Sequence, residues 1–239
     1  MKPSYYLGEA RLDCFKQSSL AAPGLLFSAV WFRGENDIRK RMPAIGITGG
    51  IATGKSALCE CLRELCPGAR FFNADMVSRE LVAGNPEVKE ELMREFGPET
   101  YFPGGDLNRE RLRAIVFHDA DKKVALERIL HPRIRQQWSA EAQTHRNSPE
   151  FFFADIPLLY ETGGETLCDR VVVVACSRDI QLARLWKRSR LDRSAGGQII
   201  DSQMPLNEKI NRADHVVWNN GERAILKEQA SGLMELWRA

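Results

Sequence analysis

The run Gly49-Gly50-Ile51-Ala52-Thr53-Gly54-Lys55-Ser56 carries the strongest chemical signal in the sequence. It satisfies G-x-x-x-x-G-K-[ST], a loop whose glycines let successive backbone N–H groups turn inward around the phosphates of a nucleotide. A lysine at the place of Lys55 reaches the β- and γ-phosphate oxygens, and a hydroxyl at the place of Ser56 ligates Mg²⁺. The neighbouring residues supply the required context. Ala44-Ile45-Gly46-Ile47-Thr48 reads as a short buried strand, and SALCECLREL over 56–65 reads as a helix with apolar positions at 58, 62 and 65. Loop and helix N-terminus together predict that residues 49–57, Ala57 included, bind the phosphates of a nucleotide with Mg²⁺, as in a GTPase, a motor ATPase or a small-molecule kinase.

A nucleotide needs something to react with, and two acids stand at strand ends. Asp75 follows Arg70-Phe71-Phe72, and Asp155 closes Phe151-Phe152-Phe153-Ala154. A carboxylate at the carboxyl edge of the sheet can accept the proton of an acceptor hydroxyl or hold Mg²⁺ through water. Asp75 reads equally as the N-cap of a helix starting at Met76. Asp155 reads as a magnesium partner or as an exposed or paired strand-end acid. Farther on, Arg184, Lys187, Arg188, Arg190 and Arg193 crowd one helix. In a mobile lid, arginines stabilise charge on a transferring phosphoryl group and exclude water; the alternative is a solvated helix face. Arg184 and Arg188, at i and i+4, share a face. No N/TKxD motif marks a guanine reader; Trp218-Asn219-Asn220-Gly221 stands at that place.

These residues must be positioned by an alternation of short apolar strands and helices. Strands are expected at 44–48, 70–75, 151–156, 171–175 and 215–218, and helices over 76–146, broken by a turn at Phe102-Pro103-Gly104-Gly105. The chain ends in a helix from Glu222 to Trp237. The expected class is α/β: a parallel five-stranded sheet of the P-loop type, with an inserted helical substrate domain and a helical lid. The expected division is a core at about 42–75, 149–183 and 207–239, an insertion at about 76–148 and a lid at about 184–206. Residues 1–41 read as a non-core extension or a mis-assigned start, since Met42 stands just before the first strand and no signal-peptide cleavage pattern follows the apolar run at 18–32.

Composition narrows the class. The 239 residues carry 34 Lys+Arg against 32 Asp+Glu, a net charge of +2 that argues against nucleic-acid or membrane-surface partners. Six cysteines form no CxxC pair and read as reduced structural thiols, the pattern of a cytoplasmic protein. A monomer or weak homo-oligomer is expected. Trp138 and Trp186 read as helix-packing residues, and His131-Pro132 as a helix end or part of the substrate site.

Several segments, taken in order, resemble the dephospho-CoA kinases. Ile45–Ser56 resembles that family's IGLTGGIGSGKS, Asn73-Ala74-Asp75 with Arg79 its DADxxxR, and His131-Pro132-Arg133-Ile134 its HPxI. Ile156-Pro157-Leu158-Leu159-Tyr160-Glu161 is similar to its PLLxE segment, and Gln181 to Arg188 to QLxRLxxR. Gln203-Met204-Pro205-Leu206 with Lys209, then Ala213-Asp214 and Asn219-x-Gly221, match its ending. The resemblance implies transfer of the ATP γ-phosphoryl group to the ribose 3′-hydroxyl of dephospho-CoA. It implies Asp75 as the base and Lys55, Arg184 and Arg188 as catalytic residues. Asn219 would join the nucleotide site, and Arg79, His131, Pro157 and Leu158 the acceptor site. Other small-molecule kinases, or an ATP-binding switch without turnover, are the alternatives. The sequence departs from the family pattern at Ala52 (usually Gly), Asn73 (usually Asp) and Ile199 (often Arg).

Overall fold

The computed structural model describes residues 43–146 and 148–238; the reading of residues 1–41 lies outside them. Five strands form one sheet: β1 (Ala44–Gly49), β2 (Arg70–Asn73), β3 (Phe152–Asp155), β4 (Arg170–Ala175) and β5 (His215–Trp218). Their spatial order is β2-β3-β1-β4-β5, and every neighbouring pair is parallel. The expected five-stranded α/β class is therefore the one observed.

Parallel strands need crossovers and covered faces, and the helices supply both. On one face α1 (Lys55–Leu65) and α9 (Arg223–Arg238) bury Leu58, Leu62, Leu226 and Met234 against Ile45, Ile47, Val172 and Val174. The opposite face carries Phe72, Phe152, Ala154, Val171 and Val173, covered by residues from four consecutive helices. These are α2 (Ala74–Gly84), α3 (Pro86–Phe96), α4 (Arg109–His118) and α5 (Ala120–His145), all between β2 and β3. The alternation of Val171 to Val174 between the two cores is the two-residue period of a strand buried on both sides.

The helices begin where the sequence offers caps. Asn73, Asn85, Asn108 and Asp119 each accept a first-turn N–H of α2, α3, α4 and α5. The turn near Gly104 and Gly105 closes an isolated antiparallel bridge between Tyr101 and Leu107. Beyond β4 come α6 (Arg178–Ser189), α7 (Arg193–Asp201) and α8 (Leu206–Arg212). The outer edge of β5 is closed at Trp218, whose N–H and carbonyl both pair with the Gln229 amide of α9.

Three local expectations change. His131-Pro132 does not end a helix, because the 26-residue α5 runs straight through Pro132. Packing holds the helix although proline removes one of its backbone bonds. Trp186 is 52% exposed, so it is no packing residue, whereas Trp138 is buried as expected. Helix α2 starts at Ala74, two residues earlier than its apolar pattern indicates. Among the described residues the cysteines are free and mostly buried, and no helix is long and apolar enough to cross a membrane.

Candidate active site

The loop between β1 and α1 is shaped from behind. Gly49 (φ +155) lies so close to β4 that a Cβ there would sit 2.3 Å from the Val174 carbonyl oxygen. At Gly54 (φ +101) a Cβ would sit 2.0 Å from Asn219 Nδ2. Every carbonyl from Gly50 to Thr53 accepts a side-chain hydrogen bond. Thr53 Oγ1 donates to Gly50 (2.9 Å), Gln181 Nε2 to Ile51 (2.7 Å), Arg184 Nη1 to Ala52 (3.2 Å) and Asn219 Nδ2 to Thr53 (2.8 Å). Arg184 also reaches the Thr53 carbonyl at 2.9 Å and, through Nη2, the Asn219 carbonyl at 2.9 Å. Gln203 accepts the Ile51 N–H at 2.8 Å. The four carbonyls of the loop are thus engaged from outside, and Gly54, the N-cap of α1, brings no side-chain bond to the first turn. That is the build of an anion cradle.

Charge is concentrated at the carboxyl edge beside the cradle, where register aligns Asn73 of β2 with Asp155 of β3. Lys55, half-buried at the start of α1, has its pKa drawn down by burial, against the opposing pull of Asp155 and Asp75. Asp155 is 7% exposed, so the exposed-acid reading does not hold. Its Oδ2 accepts Asn73 Nδ2 at 3.0 Å, while its Oδ1 is buried without a partner. Burial pushes the Asp155 carboxyl up; the Asp75 charge adds to this and Lys55 opposes it. Burial likewise raises the thiol of Cys59, with Asp155 adding to the effect. Asp75 is exposed in the first turn of α2 and is not its cap: Asn73 Oδ1 accepts the Met76 N–H at 2.8 Å. The asparagine therefore caps the helix with one amide atom and holds Asp155 with the other.

A family profile described as CoaE, dephospho-CoA kinase, matches residues 43–224. The chain belongs to the dephospho-CoA kinase family. It is 40% identical over 197 residues to the dephospho-CoA kinase of Syntrophotalea carbinolica, covering 81% of this chain and 91% of that one. A crystal structure from Thermus thermophilus matches with a TM-score of 0.67 at 32% identity, over 82% of this chain and 98% of that one. The dephospho-CoA kinase of Campylobacter jejuni gives 0.62 at 27% identity, over 80% and 95%.

In this kinase the residues singled out in the sequence fall into groups. Lys55, Asp75 and Asp155 lie within reach of one another's charge. Arg184 and Asn219 serve the back of the loop, whereas Arg188, four residues on, is exposed. The Pro157 carbonyl accepts Thr48 Oγ1 at 3.0 Å, and the Leu158 carbonyl accepts Thr162 Oγ1 at 2.8 Å, so both belong to an ordered turn after β3. Among the described residues no side-chain hydrogen bond or ion pair joins Arg79, His131 or Arg188 to the rest. Sequence reasoning gave no role to Gln181, Gln203, Glu161 or Lys209, although each lies inside a family-like segment. An exposed polar residue and a loop clamp look alike in a string of letters.

The site suits Mg²⁺. The unpartnered buried Asp155 Oδ1 and the exposed Ser56 hydroxyl are hard oxygen donors. Magnesium takes one or two carboxylates and completes its shell with phosphate and water. Among the described residues no cluster of three or more His, Cys, Asp or Glu offers a full protein cage.

Proposed function

We propose that this protein transfers the γ-phosphoryl group of ATP to the ribose 3′-hydroxyl of dephospho-CoA, giving coenzyme A and ADP. The observation that carries the reading is the cradle itself: a loop braced at four successive carbonyls, set beside Lys55, Asp75 and Asp155. Residues 49–57 take the triphosphate, with Asn219 and Arg184 bracing the loop from behind. Lys55 neutralises charge on the β- and γ-phosphates; Ser56, with Asp155 or Asp75, would hold Mg²⁺, which would supply further neutralisation when bound. Asp75 accepts the 3′-hydroxyl proton as that oxygen attacks phosphorus in line and the β–γ bridging P–O bond breaks. Arg79, His131, Pro157 and Leu158 form the acceptor side, with the helices of about 76–148. The segment of about 184–206 closes over the site, bringing Arg188 to the transferring group. We place the reaction in the cytoplasm, in keeping with the free cysteines, with a monomer or weak homo-oligomer as the working form.

The test is a coupled ADP-release assay with Mg·ATP and dephospho-CoA, beside AMP, CMP and gluconate, with coenzyme A identified by mass. Turnover is expected with dephospho-CoA alone. Asp75→Asn is expected to lose roughly 10²–10⁴-fold in kcat, the range of general-base catalysis. Turnover with another acceptor only would overturn the substrate, and ATP binding without any turnover would make the protein a switch.

A further inference from the structure

The polar groups behind the turn after β3 converge on a residue that the nucleotide cradle does not use. Lys209, in α8, is 0% exposed, a rare place for an ammonium group. Its Nζ lies 2.7 Å from Glu161 Oε1 and donates to the Pro157 carbonyl at 3.2 Å. That same carbonyl accepts Thr48 Oγ1, from a fully buried threonine of β1. Glu161 Oε1 also accepts the Met204 N–H at 3.3 Å, next in sequence to the Gln203 that holds the nucleotide loop. Three residues along α8, Arg212 pairs with Glu165 and lies over the Tyr160 ring, 4.3 Å from its centroid. One short helix thus braces the whole of residues 157–165.

Burying an ammonium group is seldom the most stabilising choice, even with the exposed Glu161 to pair it, since an apolar residue of similar volume avoids the desolvation cost. Lys209 also lies close enough to Lys55 for the two ammonium groups to repel. What a lysine supplies that a leucine cannot is direction: one donor to a carboxylate, another to a carbonyl, each at a set distance. We infer that Lys209 is a positioning residue for the acceptor. It fixes the Pro157–Glu161 turn against the end of β1 and ties it to the segment carrying Gln203. The inference rests on the dephospho-CoA reading for the identity of the acceptor, but not for the dependence of the turn on Lys209.

The test uses the full chain with Lys209→Met and with the double variant Lys209→Met/Glu161→Gln. The amides of Thr162, Gly163 and Gly164 are bonded inside the turn and report its order by hydrogen exchange. In Lys209→Met their exchange is expected to accelerate roughly tenfold or more, while amides of 51–56 stay within about twofold. KM for dephospho-CoA is expected to rise about tenfold, with the directly measured Kd for ATP within about twofold. In the double variant the unfolding midpoint stays close to that of Lys209→Met, because the Glu161 carboxylate reaches solvent and is not left buried. Exchange and KM do not recover, because the Pro157 carbonyl still lacks its ammonium donor. Equal changes in exchange at the turn and the loop, no change at either, or a double variant with restored KM would each overturn the inference. A wild type that ignores dephospho-CoA would defeat the substrate reading, and the exchange contrast would still decide Lys209.

Discussion

The two flanks of Lys55 are built on different principles. On the nucleotide flank, the loop from Gly50 to Thr53 is held at every carbonyl by Thr53, Gln181, Arg184 and Asn219, three of them buried. On the flank proposed for the acceptor, α2 shows Asp75 and Arg79 to solvent, and the four helices over 74–145 are set by an apolar core around Val88, Leu92 and Trp138, by local caps and by pairs such as Arg133–Glu91 and Lys122–Glu95. Buried polar networks resist deformation because each lost bond leaves a desolvated group behind. Apolar packing is non-directional, so helices held by it shift at smaller cost than a loop held bond by bond. A triphosphate of fixed shape suits the first construction, and a long acceptor that must be enclosed suits the second.

The largest effect should come from the residue between the flanks. Lys55→Met removes the cation expected on the transferring phosphoryl group, and kcat should fall by roughly 10²–10³, the usual loss for one such electrostatic contact. Steady-state kinetics beside a thermal melt checks this; a melt that shifts in step with kcat would show that Lys55 holds the fold instead.

Arg184 and Arg188 sharpen the contrast, because the same helix presents both. Arg184 spends its guanidinium on the Ala52, Thr53 and Asn219 carbonyls, so Arg184→Met should loosen the cradle and weaken ATP binding about tenfold, near 1.4 kcal/mol. Arg188 is exposed, and Arg188→Met should lower kcat with ATP affinity unchanged. Calorimetric titration of ATP against both variants separates the two roles. Equal losses of affinity would mean that the two arginines act alike.

A smaller effect lies inside the loop. Ala52 adopts φ 59, a left-handed conformation that costs an L-residue about 1–2 kcal/mol. Ala52→Gly removes that strain but adds about 0.4–1 kcal/mol of freedom to the unfolded chain. The net expectation is a gain of about 0.5–1 kcal/mol in urea unfolding, the difference of those two ranges near their centres. A loss would show that the Ala52 methyl makes a contact worth more than the strain.

Legibility in the sequence followed the same division. The five strands and the phosphate loop were readable because β-branched runs and the spacing of Gly49, Gly54 and Lys55 impose geometry locally. Asp75 was ambiguous because a helix-start acid and a catalytic acid share one sequence position; only the cap made by Asn73 separates them. The loop contacts of Arg184 are not legible in the sequence, since an arginine bracing a carbonyl 131 residues away leaves no periodic trace. Lys209, buried at 0% exposure, sits between Glu208 and Ile210 like any surface lysine, and its partners Glu161 and Pro157 arrive only through the fold.

The smallest expected effect lies at the far edge of the sheet and appears only in acid. His215 opens β5, its Nε2 buried without a partner and its ring 5.8 Å from that of Trp237. Burial lowers its pKa below the ordinary 6.5, with Arg170 acting in the same direction and Asp214 opposing. The folded protein thus favours the neutral ring. Below about pH 6.5 the unfolded chain takes up a proton that the folded chain resists, so stability falls as pH drops and is unaffected above that point. His215→Gln keeps a polar group but removes the titration. Urea midpoints measured from pH 7.5 to 5 should fall less steeply in the variant than in wild type, with the two curves together at the neutral end. Parallel curves would show that the His215 ring does not set the acid sensitivity.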